Sequence, residues 1–165
     1  MDNHYTFYNK IVKDPTEISR TLAYWKFRQF KVVFTNGCFD IIHRGHVEYL
    51  YQASLLGDVL ILGLNTDESV RRIKGSGRPV IDEESRSIVL AAMEFIDMIV
   101  LFNEDTPLNL INSIKPDILV KGNDYKTDEI VGSDVVRSYG GKIQTVPLVE
   151  GFSTTTIIDK LKKQG

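Results

Sequence analysis

The strongest constraint on this chain is an alternation of two patterns. The run Val59-Leu60-Ile61-Leu62-Gly63-Leu64 is apolar at almost every position, as expected of a strand covered on both faces in a parallel sheet; half-wet antiparallel strands alternate instead. Segment 31–35 is short, rich in β-branched and aromatic residues, and punctuated at its end by Asn36-Gly37. Between these two strands, Val47, Leu50, Tyr51 and Leu55 recur at spacings of three and four and Gly57 marks a stop, the signature of a helix. The alternation continues with a helix over 85–93, a strand over 96–102 and a helix over 106–114 with Pro107 in its first turn. A strand over 117–121, a helix over 133–139 before Gly140-Gly141 and a strand over 142–146 follow. The last helix, 153–162, is expected to turn Ile157, Ile158 and Leu161 inward, and a first helix, 15–28, carries Ile18, Leu22 and Trp25 on one side.

Five strands separated by helices imply right-handed crossovers and an α/β, doubly wound, five-stranded parallel sheet. Such sheets place ligands at the carboxyl ends of the strands, where the strand order switches. There is no internal repeat or linker, so 1–165 is expected to be a single domain, with 1–30 as an amino-terminal helical extension. Trp25, Phe27 and Phe30 of that extension would either cover the sheet or form an interface. Two segments lack a pattern: 75–82, with Gly75, Gly77 and Pro79, expected to be a mobile loop, and 121–132.

Composition closes other routes. Hydrophobic residues make up 42% and charged residues 25% of 165, which excludes disorder and fibrous architectures. Twenty basic against 22 acidic residues leave a net charge of −2, which argues against nucleic acid as a partner while leaving room for a local basic pocket. A lone cysteine, Cys38, cannot close an internal disulfide and favours a reducing compartment. No apolar run approaches the ~20 residues that span a bilayer, and Met1-Asp2-Asn3-His4 opens no signal peptide. A cytoplasmic protein without membrane contact is expected.

The chemistry concentrates where the first strand ends: Asn36-Gly37-Cys38-Phe39-Asp40-Ile41-Ile42-His43-Arg44-Gly45-His46. Two of three histidines stand here, around a glycine, at a strand-to-helix junction. The free N–H groups and dipole of a helix start form an anion site, Gly45 allows close backbone approach, and both imidazoles can donate to phosphate oxygens. Neither a G-x-x-x-x-G-K-[ST] nor a G-x-G-x-x-G loop is present. No cluster supplies further ligands to a histidine-bound metal, so no protein metal site is expected.

The pattern Gly37-x-Phe39-Asp40-x-x-His43-x-Gly45-His46 resembles the signature of the cytidylyltransferase-like nucleotidyltransferases, whose HxGH element binds a triphosphate. Within that superfamily, the run 33–43 is most similar to the nucleotidyltransferase domain of the heptose 1-phosphate enzymes. So are Gly63-Leu64-Asn65-Thr66-Asp67, Lys74-Gly75, Arg78-Pro79-Val80-Ile81, 119–125, Gly140-Gly141 and Gly151-Phe152-Ser153-Thr154-Thr155. The similarity runs from about Val32 to Leu161. The fused form of that family carries a sugar kinase as well, and this chain resembles the stand-alone version.

The resemblance implies a Rossmann-like nucleotidyltransferase fold and a reaction. A nucleoside monophosphate, AMP from ATP foremost, passes to D-glycero-D-manno-heptose 1-phosphate with release of pyrophosphate, giving ADP-heptose for lipopolysaccharide and other surface glycans. The alternatives are a guanylyltransferase, a cytidylyltransferase acting on a polyol phosphate, and a nucleotide-binding module without turnover. The partners implied are a nucleoside triphosphate, the sugar phosphate and a second copy of the chain in a homodimer, with Mg²⁺ carried mainly by the nucleotide phosphates.

His43, His46 and Lys74 are the implied catalytic residues. Asn36, Gly37, Cys38, Phe39, Asp40, Gly45, Arg86, Gly122, Asp124, Gly151, Ser153, Thr154 and Thr155 complete the nucleotide site. Asn65, Arg71, Lys74, Lys121 and Asp124 are candidates for the acceptor, as are Arg72 and Arg137. Other roles stand beside these. Lys74 and the arginines are also ordinary solvated charges, Arg86 a helix-surface residue, Asp124 a turn residue, and Ser153 a plain N-cap. Asp40 would orient the phosphate loop, a Mg²⁺ or merely a turn. Glycerol-phosphate cytidylyltransferases carry an arginine where this chain has Leu148, so 146–152 must recognise the base by backbone and shape, leaving adenine or guanine open. Cys38 has no required role in direct phosphoryl transfer.

Overall fold

A computed structural model of the chain describes residues 6–124 and 126–163. Met1 to His4 and Tyr125, both used above, lie outside the described residues. Among the described residues five parallel strands form one sheet: β1 (Val32–Gly37), β2 (Val59–Asn65), β3 (Met98–Phe102), β4 (Ile118–Gly122) and β5 (Lys142–Val146), in the order β3-β2-β1-β4-β5. Among the described residues seven α-helices flank it: α1 (Pro15–Phe27), α2 (Arg44–Ser54), α3 (Asp67–Lys74), α4 (Glu83–Ala91), α5 (Leu108–Ile114), α6 (Ser133–Ser138) and α7 (Thr154–Lys162). The doubly wound parallel sheet is therefore as expected. The first three strands build outward from β1 in one direction and the last two in the other, so the order switches between β1 and β4.

The strand sequences explain a core on both faces. Alternate β1 and β2 residues point to opposite sides. Val32, Phe34, Val59 and Ile61 pack with Ile18, Leu22 and Trp25 of α1 and Ile111 and Ile114 of α5, while Val33, Leu60, Leu62 and Leu64 pack with Leu50 and Ala53 of α2 and Leu90 of α4. A Leu60→Ala cavity in such a setting costs about 2–5 kcal/mol. The α1 face matches its periodicity: Trp25 and Phe30 join the core, and Phe27 is 83% exposed. The outer edge of β3 is covered by the amino-terminal segment, where the Val12 N–H donates to Ile99 O at 3.0 Å.

Two expected helix faces are corrected. On α2 the buried residues are Gly45, Tyr49, Leu50 and Ala53, whereas Val47, Tyr51 and Leu55 lie exposed. Small residues at 45 and 53 let the helix sit close to the sheet, and the Tyr49 hydroxyl reaches the Thr35 hydroxyl at 2.7 Å beneath it. On α7 no residue is buried: Ile157 and Ile158 are half-covered and Leu161 is exposed. Among the described residues no helix is long and apolar enough to cross a membrane.

Candidate functional site

At the carboxyl ends of β1, β2 and β4 a cleft of about 440 Å³ opens, at the switch in strand order where doubly wound sheets bind ligands. Its floor is the β1 exit: Asn36, Gly37, Cys38, Phe39 and Asp40. His46 on α2, Asn65 at the end of β2, Lys74 at the end of α3, Lys121 on β4, and Thr154 and Thr155 at the start of α7 complete most of the wall. Six residues from five separate chain segments are thus gathered around one floor by the sheet topology.

The β1 exit turns sharply. Phe39 adopts φ 44°, a left-handed conformation that a bulky side chain takes only under strong local constraint. The constraint is packing: Phe39 is buried, and a Cβ on Gly37 would meet its ring at 2.8 Å. The ring also meets His46 edge-on at 5.1 Å. Asp40 fixes the far side of the floor. It is buried, and its carboxylate accepts from the Val80 N–H at 2.8 Å, the Ile81 N–H at 2.9 Å and the Arg78 guanidinium. Burial pushes its carboxyl up, and those donors more than offset it, so the pKa lies below the ordinary carboxylate value. Of the alternatives for Asp40, the structure places its oxygens on the 78–81 loop.

His43 occupies the N-cap position of α2 in an extended conformation and offers no side-chain cap. That leaves the first turn without a side-chain acceptor for its N–H groups. The His43 and His46 rings stack at 3.8 Å, inclined by 19°. His46 lines the cleft, and both Nδ1 atoms are buried without a hydrogen-bond partner among the described residues. Burial lowers the His46 pKa to about 4, reinforced by His43 and partly offset by Asp40, and burial also lowers His43. Both imidazoles are therefore neutral at pH 7. Each keeps one N–H donor and one acceptor nitrogen. Gly45 serves packing: a Cβ there would meet His43 Cε1 at 3.0 Å and Phe152 Cβ at 3.2 Å. The residue before Ser153 thus seats directly on the first turn of α2. Two helix starts meet at the cleft.

At the second start, Ser153 is the N-cap of α7, its Oγ accepting from the Thr156 N–H at 3.0 Å. Thr154 and Thr155 face the cleft. Lys121 Nζ donates to Asn36 O at 3.2 Å and to the Asn36 side-chain oxygen. Burial pushes its pKa down to about 8, with the charges of Cys38 and Asp124 opposing the shift. Burial pushes the Cys38 thiol up, although Lys74, Arg86 and Arg78 pull it down; the thiol form dominates at neutral pH.

Several expected residues stand elsewhere. Arg86 is not a helix-surface residue: it is fully buried, donating to Ile81 O at 3.0 Å, to Cys38 O and to Asp67 at 2.7 Å, so it braces the cleft floor from beneath. Arg71 lines a different groove with Tyr8 and Glu83. Arg72 is paired with Glu68 and Asp105, and Arg137 with Asp128. Asn65 is buried and donates to Ser69 Oγ at 3.0 Å while lining the cleft. Gly122 is buried under Leu148, Asp124 is exposed, and Gly151 takes φ 79° in an open turn; none of the three lines the cleft. Arg78, Ile73, Asp105, Glu129, Ile130 and Val131 do line it, and sequence reasoning assigned none of them. For Arg78 the signal was a cation between Gly77 and Pro79 in an otherwise unpatterned loop.

Among the described residues no group of three or more His, Cys, Asp and Glu side chains could hold a metal ion. Of the cleft carboxylates, Asp40 is engaged by the loop, Asp105 by Arg72 and Glu129 by Lys126 at 3.5 Å. This donor set suits a cation that arrives on a ligand's own oxygens.

Comparison with known proteins agrees with this geometry. The family model described as cytidylyltransferase-like matches residues 34–160. Bifunctional protein HldE from Geobacter metallireducens is 59% identical over 136 residues, 82% of this chain and 28% of that protein. The protein of the same name from Syntrophotalea carbinolica is 49% identical over 161 residues, 98% of this chain and 33% of its own length. The chain thus spans about a third or less of these curated relatives. Among solved structures, a lipopolysaccharide core biosynthesis protein from Thermoplasma volcanium is 30% identical, with TM-score 0.59, covering 73% of this chain and 97% of that one. A pantoate-beta-alanine ligase from Francisella tularensis, at 14% identity and TM-score 0.63, covers 92% of this chain and 76% of that one and shares the Rossmann-like fold. A match that begins in β1, crosses the stacked histidines and ends in α7 takes in every wall of the cleft, and the chain belongs to the cytidylyltransferase-like family.

Proposed function

We propose that the protein is a nucleotidyltransferase that transfers AMP from ATP to D-glycero-D-manno-heptose 1-phosphate, releasing pyrophosphate and forming ADP-heptose for surface glycan synthesis in the cytoplasm. The observation that carries this reading is the convergence of two helix starts, the stacked neutral His43–His46 pair and two lysines on one cleft. The acceptor's phosphate oxygen attacks the α-phosphorus in line, the α–β bridging bond breaks, and its electron pair leaves on pyrophosphate. The attacking group is already an anion, so neither a protein nucleophile nor a general base is needed. The protein's task is to hold two anions together and neutralise charge on the bridging and leaving oxygens.

The neutral imidazoles donate to phosphate oxygens without repelling Lys74 or Lys121. The N–H groups of the α2 start and the hydroxyls of Thr154 and Thr155 donate from the two sides. Asn36 to Phe39 and Gly45 shape the floor, Asp40 and Arg86 hold it, and Ser153 holds the α7 start. Gly122, Asp124 and Gly151 would act by shaping the surrounding loops. Lys74, Lys121 and Asn65 face the acceptor. A Mg²⁺ would be held through the triphosphate oxygens and would supply further charge neutralisation there. The family resemblance extends the reading to a homodimer, which light scattering checks.

The experiment is direct. ATP, GTP and CTP are each mixed with heptose 1-phosphate and with a panel of polyol phosphates, and pyrophosphate is followed over time. ATP with heptose 1-phosphate is expected to be fastest. A GTP preference would move the base assignment, and no release with any pair would overturn the enzymatic reading.

A further inference from the structure

We propose that Arg78 is a phosphate-binding residue of this site, its guanidinium fork aimed into the cleft by the buried carboxylate of Asp40. The inference rests on the reaction proposed above for the identity of the phosphate, and on geometry for the rest.

Arg78 sits in the loop between α3 and α4. That loop leaves α3 at Gly75, with φ 96°, and re-enters helix at the Asp82 N-cap, where the Ser85 N–H donates to Asp82 at 2.8 Å. Its anchor is Asp40, which takes the Val80 and Ile81 N–H groups. Two backbone donors already tie the loop down. The third donor, Arg78 Nε, adds an ion pair between a carboxylate that is 0% exposed and an arginine side chain that is 18% exposed. Burying such a pair costs desolvation on both sides, so pairing alone is weak grounds for a guanidinium at this position.

The contact with Asp40 uses only one edge of the guanidinium. Among the described residues, Nη1 and Nη2 have no protein partner, and the side chain lines the cleft with Lys74, His46 and Thr155. A guanidinium held through Nε presents its two Nη nitrogens as a flat fork, the geometry that matches a phosphate bidentately. Asp40 fixes the fork's direction, as a buried carboxylate orients a histidine in other catalytic sites. Lys74, four residues earlier, supplies a point charge and Arg78 supplies the directional one. Two phosphates are available in this reaction, the triphosphate of the nucleotide and the phosphate of the acceptor, and both offer the same chemistry to the fork.

The test compares R78A, R78K and wild type as full-length chains. Binding of ATP–magnesium, pyrophosphate and heptose 1-phosphate is measured by calorimetry, alongside thermal melting and steady-state pyrophosphate release. Losing a charge-assisted pair of hydrogen bonds should weaken one of these ligands about 10- to 100-fold. A loss confined to ATP and pyrophosphate places the fork on the triphosphate; a loss confined to heptose 1-phosphate, with KM for that substrate rising alone, places it on the acceptor. R78K keeps a cation beside Asp40 without the fork. If R78K recovers the wild-type melting temperature and not the affinity, the fork is the function. If R78K restores affinity along with stability, or if a stably folded R78A binds all three ligands within about twofold of wild type, the proposal is overturned. Wild-type protein that binds these ligands without releasing pyrophosphate would sink the proposed reaction and leave Arg78 to be judged on binding alone.

Discussion

The two helix starts that meet at the cleft are built to different standards. The α2 start is over-determined: Phe39 is packed under Gly37, Gly45 and Leu50 are buried, and the stacked imidazoles close the turn. The α7 start hangs on an N-cap and on the seat of Phe152 against Gly45, and none of its helix is buried. Local stability follows buried apolar contact. One wall of the site is therefore preorganised before any ligand arrives, whereas the other has few buried contacts of its own to hold it. A preformed donor set loses no orientation energy at the moment of reaction, and a loosely held one can admit substrate and release product.

Breaking the rigid side should have the largest effect. His46→Ala removes a donor from the preorganised wall and should lower turnover by about 10²–10³, the range for loss of a single oxyanion donor. Pyrophosphate release at saturating ATP reads it, and near-wild-type rates would take the histidine out of the mechanism. Because folding lowers the His46 pKa to about 4 from 6.5, the unfolded chain binds the proton more tightly. Stability should therefore fall as pH drops from about 6.5 toward 4, and His46→Asn should flatten that slope in thermal melts.

The other wall is tested by hydrogen exchange. Amides of α7 should exchange about 100-fold faster than those of α2 in the free protein, and ATP–magnesium should slow α7 far more than α2. Equal protection of the two helices before ligand is added would erase the contrast.

The same contrast separates what the sequence revealed from what it concealed. Strands covered on both faces carry their burial in local composition, so β1 and β2 were legible from Val32-Val33-Phe34 and from the run at 59–64. The α1 stripe of Ile18, Leu22 and Trp25 was legible for the same reason. On α2 Tyr51 and Leu55 face outward although they match Tyr49 and Leu50 in size, because the inner face is set by the turn on which the small Gly45 and Ala53 let the helix approach the sheet. Apolar periodicity cannot rank size against proximity. The α7 stripe misled likewise, since no layer of the fold lies over Leu161. In the site, the histidines and the Ser153-Thr154-Thr155 start were legible from chemistry concentrated at helix beginnings. Arg86 and Arg78 were not: one is engaged by Asp67, Ile81 and Cys38, the other by Asp40, 38 residues away. Pairings at that range are decided by the packed fold alone.

A smaller effect is expected from Lys121, which joins β4 to β1 beneath the cleft. Its pKa of about 8 means that the cleft loses a positive charge as pH rises through that value. Affinity for a phosphate ligand should fall by about tenfold between pH 7 and 9.5, with bound phosphate moving the midpoint upward because an anion favours the protonated amine. Lys121→Gln should bind more weakly at pH 7 and show no such limb. A wild-type KM that is flat across this range would show that Lys121 does not share the phosphate's field.

The smallest effect should come from the residue that looks most reactive. Cys38 lies on the cleft floor, within the electrostatic reach of Lys74, Arg78 and Arg86, as a catalytic thiolate would. Burial nevertheless outweighs those three cations and raises the thiol pKa, so at neutral pH the group is the protonated, poorly nucleophilic form. Its backbone is the part in use, because Arg86 is anchored on the Cys38 carbonyl. Cys38→Ala preserves that carbonyl and removes only the sulfur. It should keep turnover within about twofold of wild type, allowing for slight loss of packing on the floor. An alanine variant that still binds ATP but releases no pyrophosphate would demand a covalent nucleotidyl–sulfur step, and both helix starts would then be accessories to a nucleophile lying between them.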